Sequence, residues 1–172
     1  MTFNLIALST LLIFPALMAF SASSDLFTMT IPNRVSFGLV VGYFGLALLA
    51  GLPPTAIAIN MACGVCVLIL TFSMFSMGWI GGGDAKLAAA TALWLGWAHL
   101  LDFGVMTSMF GGVLTFGILA SRKIRLPAWA AGQEWLTRLH SAGNGVPYGI
   151  ALAAAGLMVY PQTQLWQAVV RL

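Results

Sequence analysis

Apolar runs as long as a membrane helix recur along this chain, and they constrain its fold more than any other feature. A run of roughly 18 or more apolar residues is long enough to span a bilayer as a helix. Of the 172 residues, 60% are hydrophobic and 6% are charged, whereas a soluble domain carries about 25% charged residues. The sequence therefore predicts an all-α protein, a polytopic membrane helix bundle, with residues 1–172 forming a single transmembrane domain.

The apolar runs predict six transmembrane helices, at about residues 3–22, 35–52, 56–78, 85–101, 103–121 and 146–160. No Lys or Arg precedes the first run, so we interpret it as a retained helix rather than a signal peptide. The turn Gly51-Leu52-Pro53-Pro54 predicts that the second and third helices form a hairpin. After the sixth run, apolar residues at helical spacing predict a further helix at the membrane interface: Leu165, Trp166, Val169 and Val170.

The basic residues indicate how the helices are oriented. One side of the membrane holds six of the seven: Arg34, Lys86, Arg122, Lys123, Arg125 and Arg138. The other side holds only Arg171. By the positive-inside rule the first side is cytoplasmic, and both termini then face outward. We therefore interpret the net charge of +3 as a consequence of these topology signals and not as a sign of nucleic-acid binding. The expected partner is the lipid bilayer, and no nucleic acid is expected.

The longest loop, residues 122–145, carries four large apolar side chains among polar ones: Trp129, Trp135, Leu136 and Leu139. This pattern predicts a helix at the membrane interface. Glu134 and Arg138 are four residues apart and are expected to form a surface ion pair. Cys63 and Cys66 lie within an apolar run, with no second Cys or His pair. We interpret them as helix packing residues and expect no metal site and no cofactor.

Two of the four acidic residues, Asp25 and Asp84, are candidates for chemistry, because an ionisable group at membrane depth is costly. Asp25 follows the first predicted span and Asp84 opens the fourth, so both are expected at the cytoplasmic face. Two carboxyls brought together at a partly desolvated edge hold one proton between them. The charged member can accept a proton from water, and the neutral member can donate one to a peptide carbonyl, as in aspartic proteases.

Each aspartate also has a structural interpretation. Asp84 can cap a helix N-terminus, with Gly81-Gly82-Gly83 as a flexible turn. Alternatively, these glycines permit unusual backbone angles and the close approach of another backbone. Asp25 can belong to an ordinary polar loop. A small transporter subunit that relays protons through the aspartates, and a structural membrane partner without catalysis, are the alternatives from other functional classes.

Three segments resemble the motifs of bacterial prepilin peptidases. Asp25 is followed six residues later by Ile31-Pro32-Asn33, as in the first motif of that family. Gly81-Gly82-Gly83-Asp84-Ala85-Lys86-Leu87 is similar to the second motif, GxGD continued by Lys-Leu. Val146-Pro147-Tyr148-Gly149 resembles a third landmark at the start of the last helix. The resemblance covers residues 20–156.

The resemblance implies a six-helix aspartic endopeptidase that cuts the leader peptide from prepilins or pseudopilins at the cytoplasmic face of the bacterial inner membrane. It assigns the catalytic roles to Asp25 and Asp84, and supporting roles to Gly81, Gly82, Gly83, Lys86, Pro32 and Asn33. The chain is similar to the small family members associated with Flp, or tight-adherence, pili, for which we expect cleavage without N-methylation. The alternative enzyme is a GxGD intramembrane protease acting on general transmembrane helices, against which Ile31-Pro32-Asn33 argues.

Overall fold

The computed structural model describes residues 5–124, 126–127 and 132–170, with side chains from residue 11 onward. None of the residues in these ranges forms a strand. The elements are α1 (Leu5–Thr28), α2 (Asn33–Leu49), α3 (Pro54–Ser76), α4 (Gly82–Ser121), α5 (Glu134–His140), α6 (Gly149–Val159), a 3-10 turn (Tyr160–Gln162) and α7 (Gln164–Val170). The predicted all-α membrane bundle is confirmed.

Three of these helices are long and apolar enough to cross a membrane, namely Leu11–Thr28 within α1, α3 and α4. The helix α2 and the segment Gly149–Gln162 are shorter apolar helices. About 20 residues span the roughly 30 Å hydrocarbon core of a bilayer. The 40 residues of α4 are therefore about twice what a single crossing requires.

Gly96 divides α4 into two helical segments, residues 82–95 (α4a) and residues 97–121 (α4b). Its backbone has φ 67° and ψ 179°, a conformation that glycine adopts without steric cost. A Cβ at this position would also overlap Asn60 of α3, since only 2.5 Å would separate it from the side-chain Oδ1. Both constraints require glycine at the break.

This break corrects the boundary that the sequence predicted between the fourth and fifth spans, at residues 101–103. The helix ends where a glycine can leave the helical conformation, and not at the polar residue Asp102. Asp102 was expected in an outer loop but lies within α4b. Its carboxylate is 58% exposed and lies 3.9 Å from the His99 ring.

The contacts of Tyr148 and Gly149 show that α4b runs back alongside α4a. The Tyr148 hydroxyl donates to the carbonyl of Thr107 in α4b at 3.3 Å. The neighbouring Gly149 amide contacts Asp25, which lines the same cavity as Asp84 at the start of α4a. In a straight helix Thr107 would lie roughly 35 Å from Asp84, at 1.5 Å per residue. The described part of the chain therefore contains six apolar helical segments, α1, α2, α3, α4a, α4b and α6.

The first helix is longer than its apolar run predicted. The run ends near residue 22, whereas α1 continues to Thr28. The Ser23 hydroxyl donates to the carbonyl of Ala19 at 2.9 Å, and such bonds back to the helix satisfy polar side chains within it. As a result Asp25 lies in the last turn of α1 rather than in the loop after it.

The long loop contains α5, which carries three of the apolar residues expected there, Trp135, Leu136 and Leu139. Trp129 and Arg125 lie outside the described residues. Within the described part of the loop the predicted ion pair of Glu134 with Arg138 does not form. Arg138 instead donates to the carbonyl of Phe27 at the end of α1, because the backbone there faces α5.

The predicted helix after the sixth span is present as α7, but part of its apolar face packs against the bundle. Leu165 and Val169 are buried in the bundle, whereas Val170 is exposed. The Trp166 ring contacts the Tyr160 ring at 5.2 Å between centroids. The 3-10 turn before α7 brings these residues back onto the core. Arg171 lies outside the described residues.

An aromatic core holds the bundle together. The Trp94 side chain of α4a is 1% exposed, and its Nε1 donates to the carbonyl of Leu39 in α2 at 2.9 Å. The Phe14 ring of α1 lies 5.0 Å from Trp94 and 4.5 Å from Tyr160. Aromatic pairs of this kind contribute about 0.5–1.5 kcal/mol each beyond their buried area. The core therefore joins α1, α2, α4a and the chain after α6.

The turn at Gly51 is confirmed, with φ 67° at that residue, but α2 and α3 do not pack together as the predicted hairpin. Instead α3 packs against α4. Gly64 of α3 permits this, since a Cβ there would lie 3.1 Å from the Leu93 Cβ and 3.3 Å from the Ala89 carbonyl oxygen. The two consecutive helices consequently lie on either side of α4a.

We predict that the end of the bundle carrying the long loop faces the cytoplasm, because the basic residues concentrate there. In a Cys63→Ala, Cys66→Ala background, Ser141→Cys lies in that loop and Thr55→Cys lies at the start of α3, and both positions are exposed. A membrane-impermeant maleimide applied to intact cells should label Thr55→Cys only. Labelling of Ser141→Cys without permeabilisation would contradict the orientation.

Candidate active site

Asp25 is a buried carboxylate at the end of α1. Its side chain is 5% exposed. The backbone N–H of Gly149, the first residue of α6, donates to its Oδ2 at 2.7 Å. The N-terminal amides of a helix have no partners within the helix and favour negative charge. The start of α6 thus supplies the donor that a buried carboxylate requires.

Asp84 lies in the first turn of α4, and its carboxyl faces the same cavity as that of Asp25. Its Oδ1 is buried and has no hydrogen-bond partner among the described residues. The cavity has a volume of about 310 Å³. The other residues that line it are Met29, Thr30, Ile31, Gly81, Gly82 and Gly83. The two aspartates, 59 positions apart in the sequence, are therefore brought together as the sequence predicted they should be.

The glycines before Asp84 leave room for the chain's own groups. A Cβ on Gly81 would lie 2.9 Å from the Asp84 Oδ2, and one on Gly83 would lie 3.2 Å from the Ile31 Cβ. At Gly82 the neighbour is the Phe75 ring, at 3.1 Å. None of the three has a positive φ, so the unusual backbone angles that the sequence allowed are not used. Close approach is what these glycines permit.

The segment Ile31-Pro32-Asn33 joins the end of α1 to the start of α2 beside the cavity. Ile31 is buried and lies between Gly83 and Gly149. A Cβ added to either glycine would contact the Ile31 side chain. Pro32 precedes the first turn of α2 in an extended conformation. Asn33 accepts a hydrogen bond from the Lys86 Nζ at 2.9 Å. Lys86 is thus held at Asn33, two residues from Asp84.

Met29 is a strained residue at the cavity. Its φ is 56°, and no other non-glycine residue in the described ranges has a positive φ. Such a conformation costs about 1–3 kcal/mol. The hydroxyls of Ser24 and Thr28 donate to the Thr30 carbonyl at 2.8 Å and 3.2 Å. These bonds hold the turn that follows Asp25 and the end of α1.

The helix α5 contacts the end of α1 from outside the cavity. Arg138 Nη1 donates to the Phe27 carbonyl at 3.0 Å, and the Trp135 ring lies edge-on to the Phe27 ring at 5.5 Å. Arg122 in turn donates to the carbonyls of Leu139, Asn144 and Gly145. Arg122 and Arg138 therefore bind backbone carbonyls, and these bonds position the chain around Asp25.

The site brings together one carboxylate with an amide donor and a second carboxyl with an unpartnered oxygen, around a cavity large enough for water and a peptide group. Within the described residues, no three His, Cys, Asp or Glu side chains are grouped to hold a metal ion. The Gly149 amide is the functional group that sequence reasoning missed. Val146-Pro147-Tyr148-Gly149 was noticed as a landmark, but sequence alone does not show where a backbone N–H points.

The family model of the type IV leader peptidase family matches residues 12–116. This range is more than half of the chain, and it contains both Asp25 and Asp84. The chain belongs to the type IV leader peptidase family.

Two curated relatives have the name prepilin leader peptidase/N-methyltransferase, one from Aeromonas salmonicida (strain A449) and one from Aeromonas hydrophila. Each is 29% identical to this chain over 137 residues, which are 77% of this chain and 42% of the relative. The chain thus aligns with about two-fifths of the length of these relatives. No solved structure matches the chain.

We predict that Gly149→Ala destabilises the protein by about 1–3 kcal/mol, the usual cost of overpacking. The new Cβ would lie 2.8 Å from both the Asp25 Oδ2 and the Ile31 Cδ1. Gly45→Ala is the control, since nothing lies within 4 Å of a Cβ there, and it should be neutral or stabilising by about 0.5–1 kcal/mol. Thermal unfolding in detergent compares the two variants, and equal stability would contradict the tight contact at Gly149.

Proposed function

We propose that this chain is a membrane aspartic endopeptidase that cleaves the leader peptide from type IV prepilins. The observation that carries the proposal is the shared cavity of Asp25 and Asp84, at one end of a membrane bundle. Family membership supports the reaction class, since both aspartates lie within the matched range. Residues 1–172 would then be a single transmembrane peptidase domain.

The different surroundings of the two carboxyls support different roles in the reaction. Asp25 accepts the Gly149 N–H, and an amide donor stabilises an ionised oxygen. Asp25 is then the general base, which takes a proton from the water that attacks the peptide carbonyl carbon. Asp84, whose Oδ1 has no donor, carries the shared proton and donates it to the carbonyl oxygen. The tetrahedral intermediate breaks down when Asp25 gives its proton to the leaving amine nitrogen and Asp84 takes a proton back from a hydroxyl of the intermediate, which restores both carboxyls to their starting states.

The supporting residues act through the shape of this cavity. Gly81 and Gly83 leave space beside Asp84 and Ile31, while Gly82 lies against Phe75. Pro32 sets the start of α2. The hydrogen bond of Lys86 to Asn33 ties this start to the first turns of α4. We assign these residues positioning roles, and not direct participation in proton transfer.

A site at the end of the bundle suits a bond at the boundary between a polar leader and an apolar helix. Asp25 lies in the last turn of α1 and Asp84 in the first turn of α4, so both belong to the membrane edge and not to the middle of the bilayer. With the basic residues at this end, we place the active site on the cytoplasmic side of the inner membrane and both termini outside.

A proton-relaying transporter fits the bundle less well. Such a relay needs polar groups that continue through the membrane from the ionisable pair. The interior beyond the pair is instead filled by the rings of Phe14, Trp94 and Tyr160, with Met18 packed beside them. This packing favours a reaction at one membrane face.

Asp25→Asn and Asp84→Asn should each lower precursor cleavage by at least about 100-fold, since general acid–base catalysis contributes roughly 10²–10⁴-fold. Asp102→Asn is the matched control, because this carboxylate is exposed on α4b. Processing of a pilin precursor is followed by gel shift in proteoliposomes, with insertion of each variant checked by membrane extraction. Near-normal cleavage by either of the first two variants would contradict the assignment of Asp25 and Asp84 as the catalytic pair.

The resemblance to the small family members further leads us to propose Flp-type pilins or pseudopilins as substrates, with a free amine at the new N-terminus. Incubation of a Flp-type precursor with the purified enzyme and S-adenosylmethionine should yield a product with the mass of the cleaved, unmethylated chain. A mass increase of one methyl group, about 14 Da, on that N-terminus would overturn this part of the proposal.

A further inference from the structure

An apolar groove runs along the lipid-facing surface between α2 and α3. These helices follow one another in the sequence but hardly touch, because each packs on α4 instead. The groove has a volume of about 390 Å³. Its walls come from α2 and α3 and include Phe37, Val40, Met61, Val65 and Leu68. Two consecutive helices joined by a short turn are expected to pack together, but α2 and α3 leave this gap between them.

The floor of the groove is made of small side chains. Ala89 and Ala90 of α4a and Gly64 of α3 lie there, and both alanines are buried below the groove. Small residues allow two helix backbones to approach closely within a membrane, where packing rather than the hydrophobic effect drives association. The walls, by contrast, are large, and Phe37 is 70% exposed. The groove therefore has the form of a seat for one further helix.

The polar end of the groove lies beside the cavity of Asp25 and Asp84. Lys86 and Ser36 line this end, and Lys86 lies two residues beyond Asp84. The Lys86 Nζ also donates to Asn33, and Ile31, two residues before Asn33, lines the cavity. The other end is lined by Phe44 and Leu93, close to the aromatic core. A helix in the groove would thus have one end beside the aspartate cavity and the rest within the bilayer.

We propose that this groove seats the apolar helix of the precursor and so presents the bond before that helix to Asp25 and Asp84. The proposal rests on the peptidase function proposed above and adds where the substrate binds. The position of the groove beside the cavity, with Lys86 at its end bonded to Asn33, favours a polypeptide as the occupant. An acyl chain can enter any lipid-facing cleft, whereas a substrate helix has to bind next to the reacting carboxyls.

Filling the groove tests the proposal. Val65→Trp places a large ring in it from a wall position that is 49% exposed, and Val113→Trp is the matched control on α4b, at a position that is 73% exposed. Cleavage is measured in proteoliposomes with a full-length Flp-type precursor and with a soluble peptide that spans the cut but lacks the apolar helix. Val65→Trp should raise KM for the precursor about tenfold, leave kcat nearly unchanged, and leave cleavage of the peptide unchanged.

Val113→Trp should match the wild type with both substrates. Equal loss of activity on precursor and peptide in Val65→Trp would indicate damage to the catalytic site and would overturn the groove assignment. An unchanged KM in Val65→Trp would overturn it as well, while cleavage by the wild type would leave the peptidase function standing. Failure of the wild type to cleave any precursor would overturn the peptidase function, and the groove assignment with it.

Cross-linking identifies the occupant directly. A photoreactive benzoylphenylalanine replaces Phe37 in the groove or, as the control, Phe116 on α4b, which is 77% exposed, both in the Asp84→Asn variant. Irradiation with bound precursor should yield an enzyme–precursor adduct from position 37 and not from position 116. Adducts with lipid alone at position 37, or equal precursor adducts at both positions, would overturn the proposal.

Discussion

The hydrogen bond from the Gly149 amide to the Asp25 carboxylate joins the end of α1 to the start of α6, and the site depends on it. A carboxylate buried beside a membrane is costly unless a donor replaces the lost water. The donor here is the first amide of α6, so α6 must begin where α1 ends. This requirement excludes a side chain at Gly149 and brings Ile31 against it. Asp84, whose Oδ1 has no hydrogen-bond partner among the described residues, is left as the chemically distinct partner.

The bundle has a packed part, which aromatic rings hold together, and an open part, which depends on where small residues occur. Trp94 and the surrounding rings hold α1, α2 and α4a in fixed positions. This packing fixes the position of Asp25 relative to Asp84. Gly81 and Gly83 leave the cavity of Asp25 and Asp84 open beside that packed core. Gly64 draws α3 onto α4a and away from α2, which leaves the groove. Positioning of the site and access to it therefore come from different helix contacts.

The sequence was most informative where membrane physics acts on single residues. The scarcity of charge predicts the bundle, and the order of the apolar runs predicts that Asp25 and Asp84 meet at one end. It was least informative where backbone geometry or a distant partner decides. The break at Gly96 falls before the predicted boundary because Asn60 and the positive φ select that glycine. Likewise Arg138 binds the distant Phe27 carbonyl and not its neighbour Glu134.

The sequence by itself determined the class of protein and the two candidate carboxyls, and it predicts the membrane edge at which they lie, because burial of charge in lipid is penalised wherever the fold places it. Only the tertiary structure decided which carboxyl receives the Gly149 amide, how far α1 continues past its apolar run, and that α2 and α3 separate around α4a. These features depend on contacts between residues far apart in the chain, where the direction of an N–H or the absence of a Cβ acts, and no local pattern of residue types encodes that direction.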